Sequence, residues 1–453
     1  MCQRAWSIGS LPHRSTIAVV TALVLLLGLS VPPAGVAAAG DPTVYWGAKA
    51  GPVGVAAKWR TVAALPLPKG RYFVSATATL MGGSGSSSIR QQVACKLVLG
   101  SEKDIIVASP ARVDLGGSRV PMLLTVAGRL PSSAKARLRC YRASGQNVSV
   151  RDIRMTAVRA GKLTLQDGME LLAKRTTFGS GSPRIISVKS AVGNWVTGSG
   201  TYQSVGALDL PKGRWWVTAK AVSFARGAPG FKSRDYRCRL VAGADHDDLK
   251  FGLASTSSPS QGSRVPLALQ VVHWFRTPGA VSLECKGPSR ILVDHMVITA
   301  VKAGRLTNIP LEAAAGWSAG TGSPRIISGW ANGPVNIPIR STYKTIRKLD
   351  LPKGRWTVLA KLWFDARGSI LIAPAVNHVA RTDCRLKFGS RKSPSQVRYT
   401  ADHSRTAPMV MSIDYHATTR QPVKLQCRGT AAGDAHYIKI TAMKAGSLIK
   451  RPL

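Results

Sequence analysis

The sequence predicts an all-β protein: three tandem β-sandwich domains of jelly-roll-like pattern, each with one internal disulfide, behind a cleaved export signal. Three observations lead there. The phrase L-x-L-P-K-G-R recurs with its lysine at Lys69, Lys212 and Lys353, at offsets of 143 and 141 residues. Cysteines fall as one pair inside each period. The segments between these markers are rich in β-branched and aromatic residues, with no sustained helical period.

The chain opens with a mildly basic stretch carrying Arg4, His13 and Arg14, followed by an apolar core over residues 16–29. Ala37-Ala38-Ala39 fits a small-residue cleavage site, so residues 1–39 read as a signal peptide. The apolar core is short of the roughly 20 residues that span a bilayer. No later segment reaches that length, and the final SLIKRPL has no apolar tail. The expectation is a secreted, extracellular protein with no integral membrane span after processing, held at a cell surface, if at all, by non-covalent contacts.

The repeat sets the domains at 41–165, 181–308 and 322–450. Linkers of 166–180 and 309–321 join them, the second able to form a turn of helix. Each copy is of single-domain size, large enough to hold its own core. GSPRIIS at Gly181 returns at Gly322, and Ser-Arg pairs stand at Arg119, Arg264 and Arg405. TAVRAGKL, TAVKAGRL and TAMKAGSL close the three copies from Thr156, Thr299 and Thr441. Within a copy, Pro-Lys-Gly is a turn, because Pro presets φ and Gly accepts a positive φ. The strand after it begins at Arg71, Arg214 or Arg355, and two further strands carry the cysteines. Seven or eight strands with one apolar face each must bury that face against a second sheet.

Cys2 leaves with the signal, and an even number of cysteines in an exported chain reads as disulfides. The repeat selects Cys95–Cys140, Cys238–Cys285 and Cys384–Cys427, with separations of 45, 47 and 43 residues. Closing such a loop contributes on the order of 4 kcal/mol in the chain-entropy picture. Zinc would want close cysteine pairs, and the sequence has none.

The order of strands, with L-P-x-G-x-[YW]-x-V early and I-x-A-x-x-x-G at the close, resembles the jelly-roll domains of the C1q and TNF type. It also resembles uncharacterised β-sandwich domains of secreted bacterial proteins. Domains of the C1q type trimerise as separate chains, so the resemblance implies that three tandem copies imitate a trimer within one chain. It carries over no functional residue.

The chain has 63 Lys and Arg against 21 Asp and Glu. Copy one holds 19 basic and 5 acidic residues (+14), copy two 17 and 7 (+10), and copy three 22 and 6 (+16). The excess therefore belongs to the domains and not to a basic arm. A field of this size attracts polyanions with a steep salt dependence. Outside a cell these are anionic polysaccharides, cell-envelope polymers and nucleic acid bound without sequence preference. The competing reading is compositional, from an Ala-, Gly- and Arg-rich chain of the kind a high-GC genome favours.

Candidate ligand-binding residues are those that recur at the turn: Lys69, Arg71, Lys212, Arg214, Lys353 and Arg355, with Tyr72, Trp215 and Trp356 beside them. A cationic turn with an adjacent ring suits a sugar or an anionic polymer. The alternative packs each ring inward and leaves Lys and Arg to solvate the turn. Trp46, Trp195 and Trp330 open the copies at loosely comparable places and suit either stacking on sugars or core packing.

Catalytic signatures are missing: no H-E-x-x-H, no G-x-S-x-G, no P-loop. Gly82–Ser88 is Gly-rich but lies between strands. The histidines of copies two and three (His246, His273, His295, His378, His403, His416 and His436) have no counterpart in copy one. Asp245-His246-Asp247-Asp248 has the hard ligands that suit Ca²⁺, but the matching stretches are SEKD and the acid-free SRKS, so no shared metal site follows. No catalytic residue, metal or cofactor is assigned. The expected function is a non-enzymatic binding or structural protein for anionic polymers. Alternatives are a lectin-like carbohydrate-binding array and a self-assembling surface or adhesion protein.

Overall fold

A computed structural model gives the architecture. It describes residues 40–82, 92–108, 119–143, 147–168, 175–190, 192–224, 234–253, 264–311, 316–337, 339, 341–366, 379–400, 406–429 and 433–453. The export signal, the Gly-rich loop beyond Gly82, Arg405, His378 and His403 lie outside them.

Every regular element among the described residues is a strand. Copy one contains β1 (Thr43–Lys49), β2 (Val53–Val55), β3 (Arg60–Leu67), β4 (Gly70–Met81) and β5 (Val93–Leu99). It continues with β6 (Glu102–Ala108), β7 (Arg119–Leu130), β8 (Ala134–Arg142), β9 (Val148–Arg159) and β10 (Lys162–Asp167). Its outer sheet runs β3-β8-β5-β6 and its inner sheet β1-β9-β4-β7, with β2 on the far end of β9. Copies two and three repeat both sheets, giving three sheet pairs.

The two sheets differ in burial for a physical reason. Outer strands alternate, as in Gln421–Gly429, because one face packs on the sandwich core and the other meets water. The inner strand Gly213–Phe224 is buried at every position from Trp215 on. One of its faces fills its own sandwich, and the other faces the neighbouring copies. Three apolar clusters fill the sandwiches. A fourth, with Phe73, Leu123, Trp216, Val272, Leu359 and Met443, draws on all three copies.

The last strand of each copy leaves it. β10 pairs in parallel with Arg184–Ser190, the first strand of copy two, and Arg305–Pro310 pairs with Arg325–Ala331 of copy three. Ser447–Lys450 then pairs with β1, so the ring closes. The registers are equivalent: Lys162 opposite Arg184, Arg305 opposite Arg325, Ser447 opposite Thr43. The chain is thus a closed pseudo-trimer, and Ala39–Leu453 is one compact unit. Each copy holds a core of its own and in addition completes its neighbour's sheet, with β10 running on past residue 165.

The closing A-G of each copy follows from these seams. A Cβ on Gly161 or Gly304 would overlap the backbone of Gly181 and Ser182, or of Gly322 and Ser323. One on Gly446 would overlap Asp41. At the same end Ser182 Oγ donates to the Ser323 carbonyl (3.4 Å) and Ser323 Oγ to Asp41 Oδ1 (2.7 Å), three equivalent residues, each preceding a proline. The described parts of the linkers add strands: Arg175–Phe178 lies on β10, and Trp317–Ala319 lies on Arg305–Pro310; residues 312–315, where a turn of helix was expected, lie outside the described residues.

All three disulfides join cysteines directly opposite on adjacent outer strands, within single copies. Between copies, buried ion pairs cross the seams. Lys220 of copy two meets Asp104 of copy one (2.5 Å), and Lys361 of copy three meets Asp247 of copy two (2.6 Å). The equivalent positions across the third seam are Thr77 and Ser393. There Arg154 of copy one pairs with Asp414 of copy three instead (3.2 Å).

Candidate anion-binding surface

The outer face of each sandwich is wet, and strand alternation decides what stands on it. Each cysteine points inward, so the residue after it points outward. Those residues are Lys96, Arg239 and Arg385 after the first cysteines, and Tyr141, Lys286 and Arg428 after the second. A ring stands beside them at the start of the outer hairpin strand: Trp59, Tyr202 or Tyr343. Lys96 Nζ lies 4.1 Å from the Trp59 ring centre, and Arg239 and Lys286 lie 3.9 and 4.4 Å from Tyr202. Arg385 and Arg428 lie 3.8 and 4.6 Å from Tyr343. Each such contact contributes about 0.5–1 kcal/mol at an exposed site and holds a flexible cation in place.

The three platforms differ in compensation. The residue across the strand from the platform cation is Arg139 in copy one, Glu284 in copy two and Gln426 in copy three. Glu284 binds Arg239 at 2.7 Å, and Asp383 takes Arg428 at 3.2 Å. In copy one, burial and then the neighbouring Arg139 and Lys103 cations hold the Lys96 ammonium below its ordinary range. Arg139 is turned onto the Trp59 carbonyl (3.2 Å). Copy one therefore presents its cations with no carboxylate across the strand.

The turn residues divide. Tyr72, Trp215 and Trp356 are each 0% exposed and sit in the sandwich cores. Tyr72 O–H donates to the Pro68 carbonyl, and the two indoles donate to Pro211 and Pro352 (2.9–3.0 Å), so each ring ties down its own turn. Burial, then Tyr45, pushes the Tyr72 hydroxyl up to about 12. The structure places these three rings in the cores and not on the surface. Lys69, Lys212 and Lys353 are exposed. Arg71 and Arg355 donate to the carbonyls of Ala160 (3.5 Å) and Gly446 (2.8 Å), and Arg214 packs against Gly320.

The acidic run of copy two is dispersed. Asp245 meets His273 (2.7 Å), Asp247 is buried on Lys361, and Asp248 takes His246 (3.2 Å) and the Tyr202 hydroxyl (3.2 Å). Among the described residues no group of three or more His, Cys, Asp or Glu converges as for a metal. A cleft between copies one and two is lined by Glu102, Asp104, Asp167 and Lys189. Its charges satisfy one another, with Lys189 between Glu102 (2.5 Å) and Asp167 (3.2 Å). Trp46, Trp195 and Trp330 are not equivalent: Trp46 is buried in β1, and Arg290 covers Trp195 at 4.1 Å.

The platform rings escaped the sequence reading, although a signal was there. Trp59, Tyr202 and Tyr343 each stand ten residues before the turn lysine, and five of the six paired cysteines are followed directly by Lys or Arg.

No protein-family model matches the sequence, and no curated protein does. Among solved structures the chain is similar to the tandem CBM22-1–CBM22-2 domains of Paenibacillus barcinonensis Xyn10C, at 13% identity, 58% of this chain, 91% of that chain and a TM-score of 0.18. It is also similar to the infectious bursal disease virus Gx strain structure (9%, 89% and 81%, TM-score 0.20). A third is the VP2 subviral particle of that virus (10%, 90% and 82%, TM-score 0.15). None of the three is a C1q or TNF domain, and at these TM-scores none bears on function.

Proposed function

We propose that the chain is an exported, non-enzymatic protein that binds anionic extracellular polymers, such as acidic polysaccharides of a cell envelope, on its basic outer faces. The observation that carries this reading is the recurrence, in all three copies, of a cation held against an exposed-face ring beside the disulfide. A stacked cation keeps its remaining donors for a ligand and loses less freedom on binding. Three faces on one rigid ring give a long, repetitive polymer several attachment points. The described residues include no helix long and apolar enough to cross a membrane.

The test is co-sedimentation of the processed protein with purified cell walls and with DNA-coated beads across a salt series. Binding that falls steeply with salt, and falls further in Lys96→Ala with Arg139→Ala, supports the reading. Binding that resists high salt would move the assignment to neutral-sugar recognition. No binding, together with higher oligomers by light scattering, would move it to self-assembly.

A further inference from the structure

The parallel seams carry charge that the fold does not explain. Lys162 and Arg184 are directly opposite each other across the first seam. The next strand places Val301 opposite Ile185, so Lys302 stands beside Arg184. Three cations thus lie in a row on three neighbouring strands. The second seam repeats the row: Arg305 is opposite Arg325, and Met443 opposite Ile326 brings Lys444 alongside. Like charges directly opposite in a sheet are destabilising.

Nothing among the described residues offsets the first row. Among the described residues neither Lys162, Arg184 nor Lys302 has an acidic partner, and in the second row only Lys444 does, with Asp41 at 3.3 Å. The Nε groups of Arg184, Arg305 and Arg325 are buried without an acceptor. Burial, then Arg184 and Arg214, holds Lys302 below its ordinary range, and burial, then Arg305, does the same to Arg325. The third seam is an internal control. Its equivalents are Ser447, Thr43 and Arg159, and the strands pair in the same register with a single cation in place of three. The rows are therefore no requirement of the seam.

We propose that the rows Lys162–Arg184–Lys302 and Arg305–Arg325–Lys444 are two oxyanion sites, each taking one phosphate-class group and clamping two copies together. A tetrahedral, multiply charged oxyanion supplies the acceptors that the arginine donors lack and offsets the repulsion between strands. The first site is the tighter, because no carboxylate competes there. These sites lie on the seams and not on the outer faces, so phosphate binding that survives the loss of polymer binding, or the reverse, separates this inference from the function proposed above.

The experiment is calorimetric titration of the processed protein with pyrophosphate and with inorganic phosphate, beside thermal melts in phosphate and in sodium chloride of equal ionic strength. The expected result is two sites per chain and a melting temperature raised by phosphate beyond the chloride control. Arg184→Gln should remove one site, weakening it at least tenfold, and Arg184→Gln with Arg325→Gln should remove both. Without phosphate, Arg184→Gln should melt no lower than the parent, because it relieves repulsion; a merely structural arginine would lower the melt. Equal melts in phosphate and chloride, or titrations unchanged by the double substitution, overturn the proposal. A polymer of phosphodiesters that competes with pyrophosphate would place the group on a chain; a competitor without effect would place it on a free ion.

Discussion

The Lys220–Asp104 pair ties copy two to copy one, and its removal can be worked through. Both side chains are buried, at 0% and 3% exposure, with Nζ and Oδ1 2.5 Å apart. Nζ also donates to the Ile105 carbonyl (2.5 Å), and Asp104 Oδ2 accepts from the Thr125 amide (2.9 Å). Burial pushes Asp104 up and Lys220 down from their ordinary ranges, against the attraction of each for the other. Lys220→Met leaves the carboxylate buried with only amide donors, and such a loss costs about 3–5 kcal/mol. Asp104→Leu strands the ammonium in the same way. The double variant, Lys220→Met with Asp104→Leu, should cost less than either single change, because an apolar pair of similar volume avoids both desolvation penalties. The third seam, with Thr77 and Ser393 at these positions, shows that the ring closes without this pair. Urea unfolding followed by tryptophan fluorescence gives the cycle, and hydrogen exchange in β6 and in Gly213–Phe224 reports whether that seam opens first. Singles that cost under about 1 kcal/mol, or a double equal to their sum, would refute a buried, coupled pair.

Three further outcomes are expected. Gly304→Ala should destabilise the unit by about 1–3 kcal/mol, since its Cβ meets the backbone of the next copy and not a side chain that can move; a melt unchanged within error would count against the seam geometry. His295 has a φ of 50° and a pKa held below the usual histidine range by burial, with Asp294 acting in the opposite sense. As pH falls below about 6.5 the unfolded chain takes the proton first, so stability falls with it; His295→Asn, which tolerates that backbone, should flatten the melting profile between neutral pH and the folded-state pKa. Trp59→Ala should free Lys96 and weaken wall binding at low salt while the disulfide Cys95–Cys140 still forms, as non-reducing peptide mapping would show; wall binding equal to the parent's would remove copy one's platform from the surface.

Much of the fold was legible because the repeat is strong. Cys95, Cys238 and Cys384 could be paired within their copies from the repeat, and all three pairs form. The strand after each PKG turn was visible in RYFVSAT, RWWVTAK and RWTVLAK. Its burial on both faces was not: the segment reads as alternating with one apolar face, and it is buried throughout because the neighbouring copies cover the other face. The turn rings were offered either to a ligand or to the core, and a strand-starting aromatic reads the same way in both cases. The platform rings were missed because a single aromatic before a polar strand carries little weight until the residues after the cysteines are known to share its face.

Local sequence determined what local physics controls. The turns come from Pro and Gly, the wet outer faces from alternation, the disulfides from equivalent cysteines within each period, and the excess charge from composition. Tertiary structure alone decided that β10, Arg305–Pro310 and Ser447–Lys450 serve the neighbouring copy, because strand pairing between distant segments is set by which edges meet, not by the residues on either edge. The same closure put Lys220 onto Asp104 and left Lys162, Arg184 and Lys302 in one row. A charge's partner depends on which surfaces come together in space, and the spacing of residues along the chain does not encode it.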